Sequence, residues 1–413
     1  MTDEIRTLST DPAHPAQGTS IEDVTGTGGR PSIVADATAR HEPGPPVQTR
    51  DARFTSTDVT AFPPVTGREA VWKLTPVDAL RELIDGRLDG SRYEAEVTAE
   101  GGAAVSWVGR DDQRIGTAGI PEDRAAANAW SSFEEALLVR VTGEDPSTAT
   151  VRRTALGTTA RAAHTVIDVA PFARAVVVLD NAADAHLAEN VEVLVGDGAD
   201  LTLVSVQDWD DGARHAANHF AQVGRDAHLK HVVVSFGGDV VRVNPSVTLA
   251  GSGASGDLLG VYFADAGQHL ESQVFLYHRA DHTKGRVEYR GALQGEGAHT
   301  VWIGDVLIGP DATGTDSYEQ NRNLVLTEGT RADSVPNLEI ETGDIAGAGH
   351  ASATGRFDDE QLFYLQARGI PEEAARRLVV RGFLASIVQK IGVPELQQRL
   401  HDAIEAELEE RDA

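Results

Sequence analysis

The chain contains no cysteine among its 413 residues. This absence excludes a disulfide framework, a cysteine-based zinc site, a thiol nucleophile and a cluster held by thiolates of this chain alone. Aromatic residues make up only 5% of the chain, so a core has to be built from valine, leucine, isoleucine and alanine. Apolar runs long enough to span a membrane are also lacking.

Positive charge is scarce, with 36 Lys and Arg against 64 Asp and Glu, which gives a formal net charge of -28. Such a chain repels phosphate backbones and anionic lipids, so we expect no nucleic-acid partner and no membrane partner. The acidity fits either a partner-binding face or plain solubility. The N-terminus, MTDEIRTLSTDPAHPAQG, lacks the basic start and apolar stretch of a secretion signal, which predicts a cytoplasmic protein.

Composition divides the chain into four regions, of which the first two are short. Residues 1–52 are rich in Thr, Pro, Gly, Asp and Ala with few large apolar side chains, which predicts a disordered tail. Residues 53–91 form an N-terminal helical segment. In this segment a short helix is predicted to begin after Pro76 and to end at Gly86.

The third region, residues 92–355, contains recurring short β-branched runs such as RAVVVLD, VEVLVGD and LTLVSVQ. Turn residues separate these runs, which predicts a mainly β architecture, either a sandwich or a solenoid. Many runs lack the polar alternation of a sheet with one solvated face. Gly-Asp and Gly-Ala pairs suit the corners of a wound coil, although no strict period is present. The pattern therefore favours a β-solenoid core.

The fourth region, residues 356–413, has the pattern of a helical domain with three helices. Asp358 is a predicted N-cap of the first helix, which ends at Gly369. Pro371 falls in the first turn of the second helix, and Pro394 begins the third. We expect these helices to cover the open end of the solenoid, because unpaired strand edges need protection there.

Two motifs outside this region have chemical interpretations that we weigh against structural ones. GSGASG, residues 251–256, matches a dinucleotide-binding fingerprint, but a predicted strand follows it, so we interpret it as a turn. His278 and His282 have the spacing of a metal pair, with His269 nearby. Between strands this spacing separates the two rings, so we interpret them as solvent-exposed turn histidines. No Walker-type loop is present, which argues against ATP hydrolysis by that route.

His350 is a stronger candidate because it lies among small residues in IAGAGHASATG, at the junction between the β region and the helices. Small neighbours allow another backbone or subunit to approach, and imidazole is a good ligand for iron. The structural alternative is a histidine that fills a tight corner between two domains.

The stretch around His350 resembles the SufB/SufD family of iron–sulfur cluster assembly proteins. NRNLVLTEG, SVPNLEIET, GHASATG as a corner, LFYLQARGI and EEAARRLVVRGF follow one another between Gly314 and Phe383. Upstream, FPPVTGREAVWKLTP resembles the family's short N-terminal segment. The resemblance therefore covers nearly everything after about Phe54, and its long, multi-part motifs make chance a poor explanation.

The resemblance implies a right-handed parallel β-helix flanked by short helical segments. It is closer to SufD, because SufB carries a functional cysteine that receives sulfur and this chain has none. In SufD the corner motif commonly reads Cys-x-His, and here Ala348 stands in place of the cysteine. The resemblance thus implies that His350 binds metal, as a transient ligand of iron or a nascent cluster. It implies no cofactor stably bound by the isolated chain.

The resemblance also implies partners. A SufB-like paralogue would pair with the β-helix, and a SufC-like ATPase would bind the C-terminal helices, with Tyr364, Arg368 and Phe383 as interface residues. Core packing is the alternative for Tyr364 and Phe383. The chain would then be a non-catalytic scaffold subunit rather than an enzyme.

Two other functions remain as alternatives. A β-helical carbohydrate-active enzyme would need clustered acids, aromatic sugar platforms and usually secretion, whereas the chain has five Trp and no secretion signal. A SufB-like scaffold is disfavoured by the missing cysteine.

Overall fold

The computed structural model of the chain describes residues 53–356 and 359–409. The predicted disordered tail, residues 1–52, lies outside the described residues, and so does the predicted cap Asp358. Within the described ranges, none of the helices has the length and apolar character that crossing a bilayer requires.

The described residues contain eighteen strands. They are β1 (Glu96–Glu100), β2 (Ala103–Gly109), β3 (Glu135–Val141), β4 (Pro146–Arg153), β5 (Gly157–Val169), β6 (Arg174–Ala183), β7 (Ala185–Val195), β8 (Asp200–Trp209), β9 (Arg214–Val223), β10 (His228–Ser235), β11 (Val240–Leu249), β12 (Ser255–Ala264), β13 (His269–His278), β14 (Lys284–Leu293), β15 (His299–Ile308), β16 (Thr315–Val325), β17 (Arg331–Ile340) and β18 (Ile345–Arg356).

The strands form two nine-stranded sheets, and the chain alternates between them. Even-numbered strands from β4 onward form the even sheet together with β1, and odd-numbered strands from β3 onward form the odd sheet together with β2. From β3 on, each strand lies parallel to the strand two positions later. In the described part of the chain, the antiparallel pairs are β1 with β4 and β2 with β3, both at one end of the solenoid.

Apart from β1 and β2, each sheet contains eight parallel strands, which correspond to about eight turns of a solenoid. The architecture is a parallel β-solenoid rather than a sandwich, as the sequence predicted. Inward-facing side chains stack in register from turn to turn, as Val177, Leu203, His231, Leu258 and Val287 do on successive strands of the even sheet. Residues 251–254 of the GSGASG stretch form the turn before β12 and its last two residues begin the strand, which confirms its interpretation as a turn.

The outer face of the odd sheet is covered by the N-terminal part of the chain. Helices α1 (Arg81–Asp85) and α2 (Arg124–Ser132) pack there with Trp72 against Val166 and Ala188. Helix α1 ends at Asp85 with Gly86 as its C-cap, as predicted, but it begins at Arg81 and not directly after Pro76, where the chain forms turns. Helix α2 was not predicted from the sequence, although the Asp123 side chain caps it by accepting a hydrogen bond from the Ala126 N–H at 2.9 Å.

The three predicted C-terminal helices are present as α3 (Asp359–Gln366), α4 (Glu372–Val388) and α5 (Pro394–Glu409). The expectation that they cover the open end of the solenoid is wrong. They pack on the outer face of the even sheet, where Leu384 and Ile404 meet Val206, Val232 and Val261. This apolar face offers far more area to bury than a strand edge does, so burial determines where the helices lie.

Candidate functional site

His350 lies in the middle of β18, the last strand of the even sheet, and not in a corner. The prediction that GHASATG forms a corner is therefore wrong. The segment is an extended strand paired with β16, and its small side chains pack closely along that strand. Within the described residues, nothing pairs with the free edges of β17 and β18. Because no further turn stacks on it, the His350 side chain is 46% exposed.

Glu319 of β16 is the register neighbour of His350 in the adjacent turn. Val287 of β14 precedes it in the same column and belongs to the interior cluster. Ala348, two residues before His350, also packs against that cluster. The column therefore places Glu319 inside the solenoid, where its side chain is 0% exposed, and His350 at the mouth of the interior.

The Glu319 carboxyl lacks the partners that buried acids normally have. Neither of its oxygens accepts a hydrogen bond of good geometry in the described part of the chain, although the backbone N–H of Asn337 is close enough to lower its pKa. Nδ1 of His350 lies 3.8 Å from Oε1. Burial raises the pKa of Glu319 to about 8, with a further contribution from the negative charge of Asp305, while the backbone N–H of Asn337 acts in the opposite direction.

Gly304 of β15 makes room for this carboxyl. A Cβ at Gly304 would lie 2.3 Å from Oε2 of Glu319 and 2.3 Å from the Trp302 ring. Sequence analysis missed Glu319. The signal that was present is a glutamate at an inward position of β16, a strand whose other inward positions are small or neutral polar residues, Thr, Ser and Asn.

The other candidate histidines are not brought together. His278 is buried in β13, with Nδ1 2.8 Å from the Thr283 hydroxyl and Nε2 2.9 Å from that of Ser317. Its interpretation as a solvent-exposed turn histidine is therefore wrong, because it is the last residue of β13 and its side chain is buried. His282 does lie exposed in a turn. Among the described residues, no group of three or more His, Asp or Glu, including one with His269, has metal-binding geometry.

The predicted interface residues occupy two different environments. Tyr364 on α3 is 55% exposed, and the Arg368 guanidinium lies over its ring at 4.4 Å. Phe383 on α4 is half-buried against the even sheet, where the Arg290 guanidinium lies 5.5 Å from its ring and donates to the Phe383 carbonyl at 3.1 Å. The Phe383 ring thus packs within the chain.

Comparison with known proteins identifies the family. The profile described as "SUF system FeS cluster assembly, SufBD core domain" matches residues 151–383. The chain belongs to this family. A SufBD family iron–sulfur cluster assembly protein of Mycobacterium leprae is 51% identical over 366 residues, covering 86% of this chain and 93% of that protein. Its counterpart from Mycobacterium tuberculosis strain H37Rv is 52% identical over 368 residues, covering 86% and 92%.

SufD of Bacillus subtilis is a more distant relative, 32% identical over 216 residues, which are 52% of this chain and 49% of that protein. None of these three relatives is named as a carbohydrate-active enzyme, the alternative that the sequence left open. The solenoid of a SufBD protein is thus combined with an exposed histidine at its open end.

Proposed function

We propose that this chain is a non-catalytic, SufD-like scaffold subunit of a cytoplasmic SUF iron–sulfur cluster assembly complex. The observation that carries the proposal is the open end of the solenoid, where β17 and β18 have free edges beside the exposed His350. Long free edges are ready templates for pairing with another chain. A partner that pairs there would enclose His350 at the joint.

A SufB-like paralogue is the partner that fits this end. M. leprae has a second SufBD family protein, to which the chain is 28% identical over 219 residues, 53% of this chain and 25% of that protein. Two family members in one organism support pairing between paralogues. β17 and β18 are 10 and 12 residues long, which allows continuous sheets to form across the joint.

A SufC-like ATPase is the proposed partner of the C-terminal helices. Phe363 on α3 is 71% exposed and Leu378 on α4 is 49% exposed, close in sequence to the stacked pair Tyr364 and Arg368. Exposed aromatic rings next to an arginine are typical of the centres of protein interfaces. Phe383 would contribute indirectly, by holding α4 on the even sheet through its contact with Arg290.

His350 is the proposed transient ligand of iron or a nascent cluster. Its imidazole is exposed at the joint, and the chain offers no thiolate because Ala348 stands in the family's cysteine position. Thiolate ligands would have to come from the partner. A cluster would therefore bind only in the complex, and the isolated chain would hold none stably.

Co-expression of the chain with a SufB-like and a SufC-like protein from one organism tests this proposal. Successive N–H groups of a strand point to opposite edges, and proline has no N–H. Of the two variants Ser352→Pro and Ala353→Pro, one therefore removes a donor from the free edge of β18 and the other removes a donor that faces β16. We expect the free-edge variant to lose co-purification of the paralogue while retaining the ATPase. Absence of any complex with the wild-type chain would remove the proposal.

A further inference from the structure

We propose that Glu319 is a second ligand for iron(II), acting together with His350 at the mouth of the solenoid interior. The inference rests on the proposed function, because iron is the cargo that would reach this site. It assigns a role to a residue from the neighbouring turn that sequence analysis did not single out. Glu319 and His350 are direct register neighbours on β16 and β18.

The distance between the two side chains suits a shared metal ion. Nδ1 of His350 and Oε1 of Glu319 are 3.8 Å apart. Nitrogen and oxygen ligands lie about 2.0–2.2 Å from a divalent first-row metal, so two of them at bond angles near 90–110° are roughly 3–3.5 Å apart. The exposed imidazole of His350 needs only a small rotation to reach that separation.

Glu319 is the exception among the buried acids of the described residues. The other buried carboxylates accept hydrogen bonds or pair with a basic side chain; they are Asp123, Asp180, Glu189, Glu192 and Glu271. Glu319 is fully buried, pairs with no basic side chain closer than His350, and accepts no hydrogen bond of good geometry in the described residues; the Asn337 N–H is the one backbone donor that acts on it. Buried polar groups without partners are rare and unfavourable in native proteins. A bound cation would supply the missing partner.

The glycine beside the carboxyl allows Glu319 to hold this position. A Cβ at Gly304 would lie 2.3 Å from Oε2, so only glycine lets the carboxyl pack against β15 here. One carboxylate and one imidazole form a mixed oxygen and nitrogen ligand pair that iron(II) accepts. Two ligands from this chain leave the remaining coordination positions open, and these face the end where the paralogue is proposed to pair.

The test uses cobalt(II) as a spectroscopic probe of the site, titrated into the full-length chain without partners. Binding is followed by the paramagnetically shifted imidazole signals that His350→Ala removes. Glu319→Gln replaces the carboxylate by a neutral amide of the same shape. We expect it to weaken this binding component at least about tenfold. Glu319→Asp keeps a carboxylate but places it one methylene further from the metal position. We expect its cobalt(II) affinity to lie between those of the wild type and Glu319→Gln.

Glu341→Gln is the matched control, because it removes one acid just after β17 in the same turn, away from the column of His350. We expect it to bind cobalt(II) like the wild type. Wild-type affinity in Glu319→Gln would overturn the proposal, and so would an equal loss in Glu341→Gln, which would indicate general attraction to an acidic surface. If Glu319→Gln fails to fold by circular dichroism, an unchanged affinity in Glu319→Asp overturns it instead.

The free-chain titration separates this inference from the proposed function. Failure of the wild-type chain to form a complex would count against the scaffold role. The cobalt(II) titration could still be interpreted, because it uses the free chain. Loss of cobalt(II) binding in Glu319→Gln, with normal recovery of the paralogue by the same variant, would support both.

Discussion

His228 lies between two acids contributed by the neighbouring turns of the solenoid. Its Nδ1 is 3.3 Å from Asp200 on β8 and its Nε2 is 3.4 Å from Asp257 on β12. Hydrogen bonds to Asp200 and then to Asp257 raise the pKa of His228 to about 9, and the pKa of each aspartate is lowered in return. The imidazolium thus links three successive turns on the outer face of the even sheet.

This arrangement predicts a pH-dependent contribution to stability. Because the pKa of His228 is higher in the folded chain than the ordinary value of 6.5, the stabilisation is fully present below about pH 6.5 and is lost as pH rises through about 9. We expect His228→Asn to be less stable than the wild type in urea at pH 6, and the difference to disappear by pH 10.

His282→Asn is the control for this prediction, because His282 lies exposed in a turn. We expect it to have the stability of the wild type at both pH values. A difference between wild type and His228→Asn that stayed constant from pH 6 to pH 10 would contradict the electrostatic account.

The burial of individual polar residues is the feature that the sequence predicted least well. Arg153, Glu189 and His215 form a buried network in the interior, with the Arg153 guanidinium 2.8 and 2.9 Å from the two Glu189 oxygens. Nothing in the local pattern distinguishes these residues from solvent-exposed ones. Their burial depends on which strands become neighbours in successive turns, and the same is true of Glu319. His350 was found because a longer family motif surrounds it.

At the scale of elements, strands with β-branched runs were predictable and others were not. RAVVVLD and LTLVSVQ begin β6 and β8 as expected. β9, with the sequence RHAANHFAQV, was missed because its intrinsic preference for strand is weak. Its strand conformation is imposed by pairing with β7 and β11 on both sides. The missing polar alternation has a related cause: side chains on the outer faces are buried under helices as well.

Helix α4 offers a matched pair of leucines with different expected roles. Leu384 is 0% exposed against the even sheet, whereas Leu378 is 49% exposed. We expect Leu384→Ala to lower the free energy of unfolding by about 2–5 kcal/mol, because it leaves a cavity in the packed face. Leu378→Ala should change it by less than about 0.5 kcal/mol. Urea denaturation followed by circular dichroism measures both.

The same pair distinguishes packing from partner binding. If the C-terminal helices contact the ATPase as proposed, Leu378→Ala should weaken recovery of the SufC-like protein without a change in stability. Equal destabilisation by the two substitutions would show that Leu378 is part of the packed interior of the helical region. Unchanged recovery of the ATPase by Leu378→Ala would remove Leu378 from the proposed contact surface.

On the scale of the whole molecule, the sheet faces are covered while both ends of the solenoid have free strand edges among the described residues. The N-terminal segment and α2 cover the odd sheet, and α4 and α5 cover the even sheet. At the β1 and β2 end, the free edges belong to short antiparallel strands of 5 and 7 residues. At the other end, the last turn, formed by β17 and β18, has free edges 10 and 12 residues long and mostly half-buried or exposed residues. The longer parallel edges make the β17 and β18 end the better template for association through strands.

Hydrogen exchange across the chain tests that conclusion. In a solenoid each turn is stabilised by its neighbours, so a terminal turn opens more readily than a central one. We expect amides of β17 and β18 to exchange fastest among the solenoid strands of the free chain, and those of β10 to β13 slowest. Addition of the SufB-like paralogue should slow exchange in β17 and β18 selectively, since pairing supplies the missing hydrogen-bond partners. Slower exchange along α1 and α2 with unchanged exchange in β18 would instead place the paralogue on the covered odd sheet.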